Sequence, residues 1–109
     1  MQSPISIDDN ELSSFCQKWK VAEMSLFGSV AQGKARPDSD VDILVSFTPD
    51  AQWSLLDHVD MQGEMSALLK RNVDLVTRRS IERSANEIRK RSILENTVPI
   101  YVARQGTNS

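Results

Sequence analysis

With 109 residues the chain has the length of one domain and not of two, so residues 1–109 are read as a single unit with its core at about 9–101. Its 39% hydrophobic and 26% charged residues exclude a disordered chain. A formal net charge of −2 argues against stable nucleic-acid binding, and no apolar run approaches the roughly 20 residues that span a bilayer.

The opening MQSPISIDDN has neither the basic start nor the apolar stretch of a leader, and the lone Cys16 cannot form an intramolecular disulfide. The cytoplasm is the expected compartment. Leu12, Phe15, Cys16 and Trp19 recur at i, i+3, i+4 and i+7 behind an acidic start, which predicts a helix over about residues 9–20. Ala22–Phe27, a half-apolar run stopped by Gly28, predicts a strand, as does the β-branched Val41–Phe47 between Pro37 and Pro49. Ala51–Lys70 predicts a long helix with Met61, Met65, Leu68 and Leu69 on one stripe and Leu55, Leu56 and Val59 continuing it. Asn72–Thr77 predicts a third strand. The basic stretch Ser80–Glu95 predicts a helix with Ile81, Ala85 and Ile88 on one face, and Val98–Val102 is apolar enough to dock on the core before a frayed tail at 104–109. Helix, strand, strand, helix, strand, helix, with one apolar stripe per helix, points to an α/β (α+β) fold in which helices flank a small sheet.

Within the second strand stand two aspartates, Asp40 and Asp42, although Asp is disfavoured in strands. Alternation points Asp40, Asp42 and Leu44 one way and Val41, Ile43 and Val45 the other. Two like charges ~4 Å apart repel by about 4 kcal/mol at an effective dielectric of about 20, a cost that stability gives no reason to accept. Mg²⁺ removes it, since it takes one or two carboxylates together with phosphate oxygens and water. Asp74, between Val73 and Leu75, also points away from the apolar face of its strand, and all three acids converge if the two strands pair. Such a triad can hold two metal ions that clamp the attacking and leaving oxygens of a phosphoryl displacement, with Asp74 helping to deprotonate the acceptor. Gly28 lets the backbone approach a ligand, and a helix starting at Ser29 aims its amides at phosphate. Lys34 and Arg36, on the connecting segment, are placed to neutralise triphosphate charge.

These residues resemble the minimal nucleotidyltransferases of the polymerase-β-like superfamily. The shared signature is Gly-Ser, a spacer of about ten residues, Asp-x-Asp, and a third Asp on a later strand; here it reads Gly28-Ser29, Asp40-Val41-Asp42 and Asp74. The resemblance covers about residues 22–101. It implies a mixed sheet, ATP as substrate and, for members this short, an antitoxin that transfers AMP to a tyrosine of a HEPN-domain ribonuclease toxin. One departure is Gln32, where relatives often carry Arg. A rival reading from another class is a non-catalytic antitoxin that neutralises the toxin by stoichiometric binding.

The remaining conspicuous residues read as structural. His58 has no second His or Cys at ligand spacing and suits a surface or helix-packing role. Cys16, Trp19, Met61 and Met65 read as core or partner surface, and Tyr101 as structural. Eight of the thirteen basic residues lie between Lys70 and Arg91, a solvated face or a patch for phosphates, with Arg78 or Arg79 nearest the third strand's end. Nucleotide addition to RNA, the third option this basic segment suggests, is weakened by the acidic balance.

Overall fold

The computed structural model describes residues 7–33 and 40–103. Lys34, Arg36 and the tail at 104–109 lie outside the described residues. The elements run α1 (Asp9–Lys18), β1 (Val21–Phe27), α2 (Gly28–Ala31), β2 (Val41–Phe47), α3 (Leu55–Leu69), β3 (Val73–Thr77), α4 (Arg78–Glu82), α5 (Glu87–Glu95) and β4 (Val98–Val102). The four strands form one sheet in the order β3-β2-β1-β4. β1 pairs antiparallel with both β2 and β4, while β2 and β3 run parallel, so the sheet is mixed.

Local chemistry sets the element ends. The Asp8 carboxylate accepts from the backbone N–H groups of Asn10 and Glu11 and caps α1. Ser54 and Asp57 form a reciprocal capping box that starts α3 at Leu55, four residues later than the apolar run suggests. Leu55 and Leu56 are consequently exposed (80% and 76%), and the buried stripe is Met61, Met65 and Leu69.

Two further departures concern the C-terminal third. The basic stretch is not one helix: Thr77 caps α4, Asn86 caps α5, and Ser84 and Asn86 interrupt the turn between them. Ile81 and Ile93 are buried while Ile88 is 85% exposed, so the apolar face is shared between two short helices. Val98–Val102 is a full edge strand and not merely an apolar segment. Pro99 is tolerated there because β4 lies at the edge, next to a register shift at Met24/Ser25.

Alternation gives the sheet two different faces. Val41, Ile43 and Val45 of β2, with Val73 and Leu75 of β3, join Leu12, Phe15 and Cys16 of α1 and Met61, Met65 and Leu69 of α3 in the main core. Leu44 and Val76 turn to the opposite face and meet Phe27, Ile81, Ile93 and Leu94. Trp19 anchors the main core: its ring meets Trp53 edge-on at 5.1 Å, its carbonyl accepts from Trp53 Nε1 at 2.9 Å, and its own Nε1 donates to Glu64 at 3.2 Å.

Met65 is fully buried between α3 and the sheet. Met65→Ala is expected to cost about 2–5 kcal/mol in urea unfolding, whereas Leu56→Ala at the exposed start of the same helix should stay within about 0.5 kcal/mol.

Candidate active site

The parallel pairing of β2 and β3 places Asp42 directly opposite Asp74 in register. Their neighbours Val41, Ile43, Val73 and Leu75 point into the main core, so both carboxylates project from the other face. Further along that face Leu44 and Val76 are covered by α4 and α5, but the two acids sit near the beginning of their strands. Asp42 is half-buried and Asp74 exposed. Asp40, exposed, immediately precedes β2.

Gly28 closes the site from the β1 side. Phe27, the last residue of β1, pairs across the sheet with Asp42. Gly28 then turns the chain with φ +72, and a β-carbon there would collide with the Asp42 carboxylate. Backbone conformation and space therefore both demand glycine. The helix expected to start at Ser29 is a single turn, Gly28–Ala31, with Ser29 its second residue.

The electrostatics are those of crowded acids. Burial first, then the charges of Asp74 and Asp40, push the Asp42 carboxyl above its ordinary value, while the Arg89 guanidinium pulls it down. Among the described residues, no three His, Cys, Asp or Glu side chains are arranged so as to hold an ion by themselves. Asp42 and Asp74 nevertheless supply the hard, mutually repelling oxygen pair that Mg²⁺ favours, and that ion ordinarily completes its shell with water and phosphate oxygens. The donor set fits a divalent cation held jointly with a phosphorylated ligand.

Arg89 is the residue that sequence reasoning passed over. The basic stretch pointed to Arg78 or Arg79, but Arg78 is engaged with Glu23 at 3.6 Å and Glu82 at 3.2 Å. The available signal was Asn86, whose side chain accepts from the Arg89 N–H at 3.0 Å and so puts Arg89 in the first turn of α5. Arg89 also lines a cavity between β3, α4 and α5, with Val76, Ile81 and Ile93 as its apolar residues and Ser80, Ser84 and Lys90 as its polar ones.

The other conspicuous residues have structural positions. Cys16 is buried, with its thiol pushed up to about 12, and burial holds the Tyr101 phenol above its ordinary value. Tyr101 packs against the main core. His58 joins α3 to β3 through the Leu75 carbonyl. Among the described residues no helix is long and apolar enough to cross a membrane.

Asp42 gives a pH prediction. Because its folded value lies above the ordinary 3.8, stability tied to this group is fully present below 3.8 and is lost as pH rises through the raised value. Asp42→Asn should therefore melt at a higher temperature than the unaltered chain at pH 7, with the difference closing below pH 3.8. Equal melting at pH 7 would show that the carboxylate carries no such strain. Gly28→Ala should cost at least about 1–2 kcal/mol from its left-handed backbone alone, read by chemical denaturation.

Comparison with known proteins places this geometry. Residues 10–100 match the nucleotidyltransferase domain family. The protein adenylyltransferase MntA of Thermococcus cleftensis is 41% identical over 66 residues, a match covering 61% of this chain and 65% of that protein. A chain in the crystal structure of a toxin–antitoxin with AMP-PNP superposes with a TM-score of 0.67 at 21% identity, over 90% of this chain and 76% of that one. A chain in the complex of tri-AMPylated Shewanella oneidensis HEPN toxin with MNT antitoxin superposes with a TM-score of 0.57 at 19% identity, over 86% of this chain and 69% of that one. The mixed sheet and the match over residues 10–100 together show that the chain belongs to the nucleotidyltransferase domain family.

Proposed function

We propose that this chain is a Mg²⁺-dependent protein adenylyltransferase that moves AMP from ATP to a tyrosine hydroxyl of a HEPN-domain ribonuclease toxin, and so acts as its antitoxin. The observation that carries this reading is the in-register pair Asp42 and Asp74, exposed to a ligand on one side and backed by Gly28 on the other. Support for the acceptor class comes from the relatives: one is a protein adenylyltransferase, and one structural neighbour is a chain in the complex of an AMPylated HEPN toxin with an MNT antitoxin.

In the reaction, the acceptor oxygen forms a bond to the α-phosphorus of ATP, the bond to the bridging oxygen breaks, and pyrophosphate leaves. Asp40, Asp42 and Asp74 are the residues that would hold divalent cations. When bound, such cations neutralise charge on the phosphate oxygens and on the attacking and leaving oxygens. Asp74 on β3, more open than Asp42 on β2, takes the acceptor hydroxyl's proton at a carboxylate oxygen. Gly28 and Ser29 lie where backbone can approach the phosphate tail, and Lys34 and Arg36 in the connecting segment add positive charge to it. Arg89 of α5, whose charge acts on Asp42, orients the transferred phosphate by charge-assisted hydrogen bonding. Residues 1–109 act as one catalytic unit in the cytoplasm, with the acceptor recognised through the partner's own surface.

The test is intact-mass measurement of a HEPN toxin incubated with the protein, ATP and Mg²⁺. Gain of whole adenylyl units, abolished in a folded Asp40→Ala/Asp42→Ala variant, is the expected outcome. Neutralisation at equimolar amounts without ATP and without mass gain would make the chain a stoichiometric binder. Arg89→Ala is expected to lower kcat/KM by about 100-fold, the scale on which loss of one preorganised charge donor acts. An unchanged value would remove Arg89 from the site.

A further inference from the structure

Resting on this functional reading, we propose that His58, Gln62 and Ser66 of α3 are positioning residues for Asp74. β3 is an edge strand, paired with β2 on one side only. Even-numbered residues of β3 turn their backbone groups toward β2, as the 2.8 Å bond from Val41 N–H to the Asn72 carbonyl shows, so the groups of Val73 and Leu75 turn outward. In an ordinary edge these would meet water or another strand. Here they meet three side chains. Ser66 Oγ accepts from Val73 N–H at 3.1 Å, Gln62 Oε1 accepts from Leu75 N–H at 3.0 Å, and His58 Nε2–H donates to the Leu75 carbonyl at 2.7 Å.

Two aspects of this arrangement exceed what covering an edge requires. The three residues are spaced i, i+4 and i+8, so one polar stripe on successive turns of a helix runs along the strand. Their bonds fall on the two residues that flank Asp74, while Asp74 itself belongs to the β2 ladder. The strand is thereby held on both edges at the point where its carboxylate must stay opposite Asp42. A displacement of about 1 Å in such a group is enough to cost ~100-fold in rate, and loss of an outer partner of a metal-holding group costs about 10–100-fold in metal affinity.

The experiment compares the unaltered protein with Ser66→Ala, Gln62→Leu and His58→Phe, and with His58→Gln as the conservative variant that keeps a donor for Leu75. Two quantities are read: binding of Mn²⁺ in the presence of ATP, and amide hydrogen exchange at Val73 and Leu75. The expected result is weaker Mn²⁺–ATP binding by roughly tenfold in Gln62→Leu and His58→Phe, faster exchange confined to β3, and recovery in His58→Gln. Ser66→Ala removes one bond with little volume and should show the same direction even where the larger changes compromise folding. A lowered melting temperature with unchanged Mn²⁺–ATP affinity would overturn the proposal and leave these residues as an edge cover. Absence of Mn²⁺–ATP binding by the unaltered protein would instead overturn the functional reading from which the role follows, and AMP transfer is scored separately.

Discussion

Asp42 and Asp74 face each other across a parallel ladder, and they repel. Left to themselves, two strands would relieve that repulsion by sliding, since a shift of one residue would turn Asp74 to the other face. Such a slip is prevented by the main core. Val41, Ile43, Val73 and Leu75 alternate with the acids and are buried under α1 and α3, so a one-residue shift would carry apolar side chains into water and a carboxylate into the core. Burial of one such side chain is worth about 1.5–3 kcal/mol, and several act together. The hydrophobic term on one face is thus what allows an electrostatically unfavourable pair on the other.

Gly28 belongs to the same constraint. The chain must leave β1 beside Phe27, which pairs with Asp42, and it must do so without a side chain because the carboxylate occupies that space. A left-handed turn is the way to redirect the backbone there, and glycine alone takes it without cost. The glycine, the aspartate and the strand register are therefore one feature seen from three positions in the sequence.

Much of this was legible in the sequence because it depends on period-two alternation and on spacing. VDILV and VDLVT each place a carboxylate against the grain of a buried strand, and that alone predicts which face the acids occupy. What resisted reading was governed by caps and partners and not by periodicity. Asn86 splits the basic segment into two helices, Pro99 disguised an edge strand, and Ser54 rather than the apolar run decides where α3 begins. Arg89 was hidden among eight basic residues because its direction depends on where α5 starts. His58, Gln62 and Ser66 gave no signal at all, since their bonds are to backbone groups, which look alike in every sequence.

The second face is only partly covered, and this shapes what the site can accept. α4 and α5 close over Leu44 and Val76 but leave Asp40 and Asp74 exposed and Asp42 half-buried, so the acids stand at the margin of a packed layer. A fully enclosed site would bury three carboxylates and raise their desolvation cost far beyond what one guanidinium offsets. An open one keeps Asp40 and Asp74 solvated, at the expense of weak water exclusion. Whatever reacts there must therefore bring its own cover. On the function proposed above, a folded acceptor laid across the sheet margin would supply that cover and present its hydroxyl to Asp74.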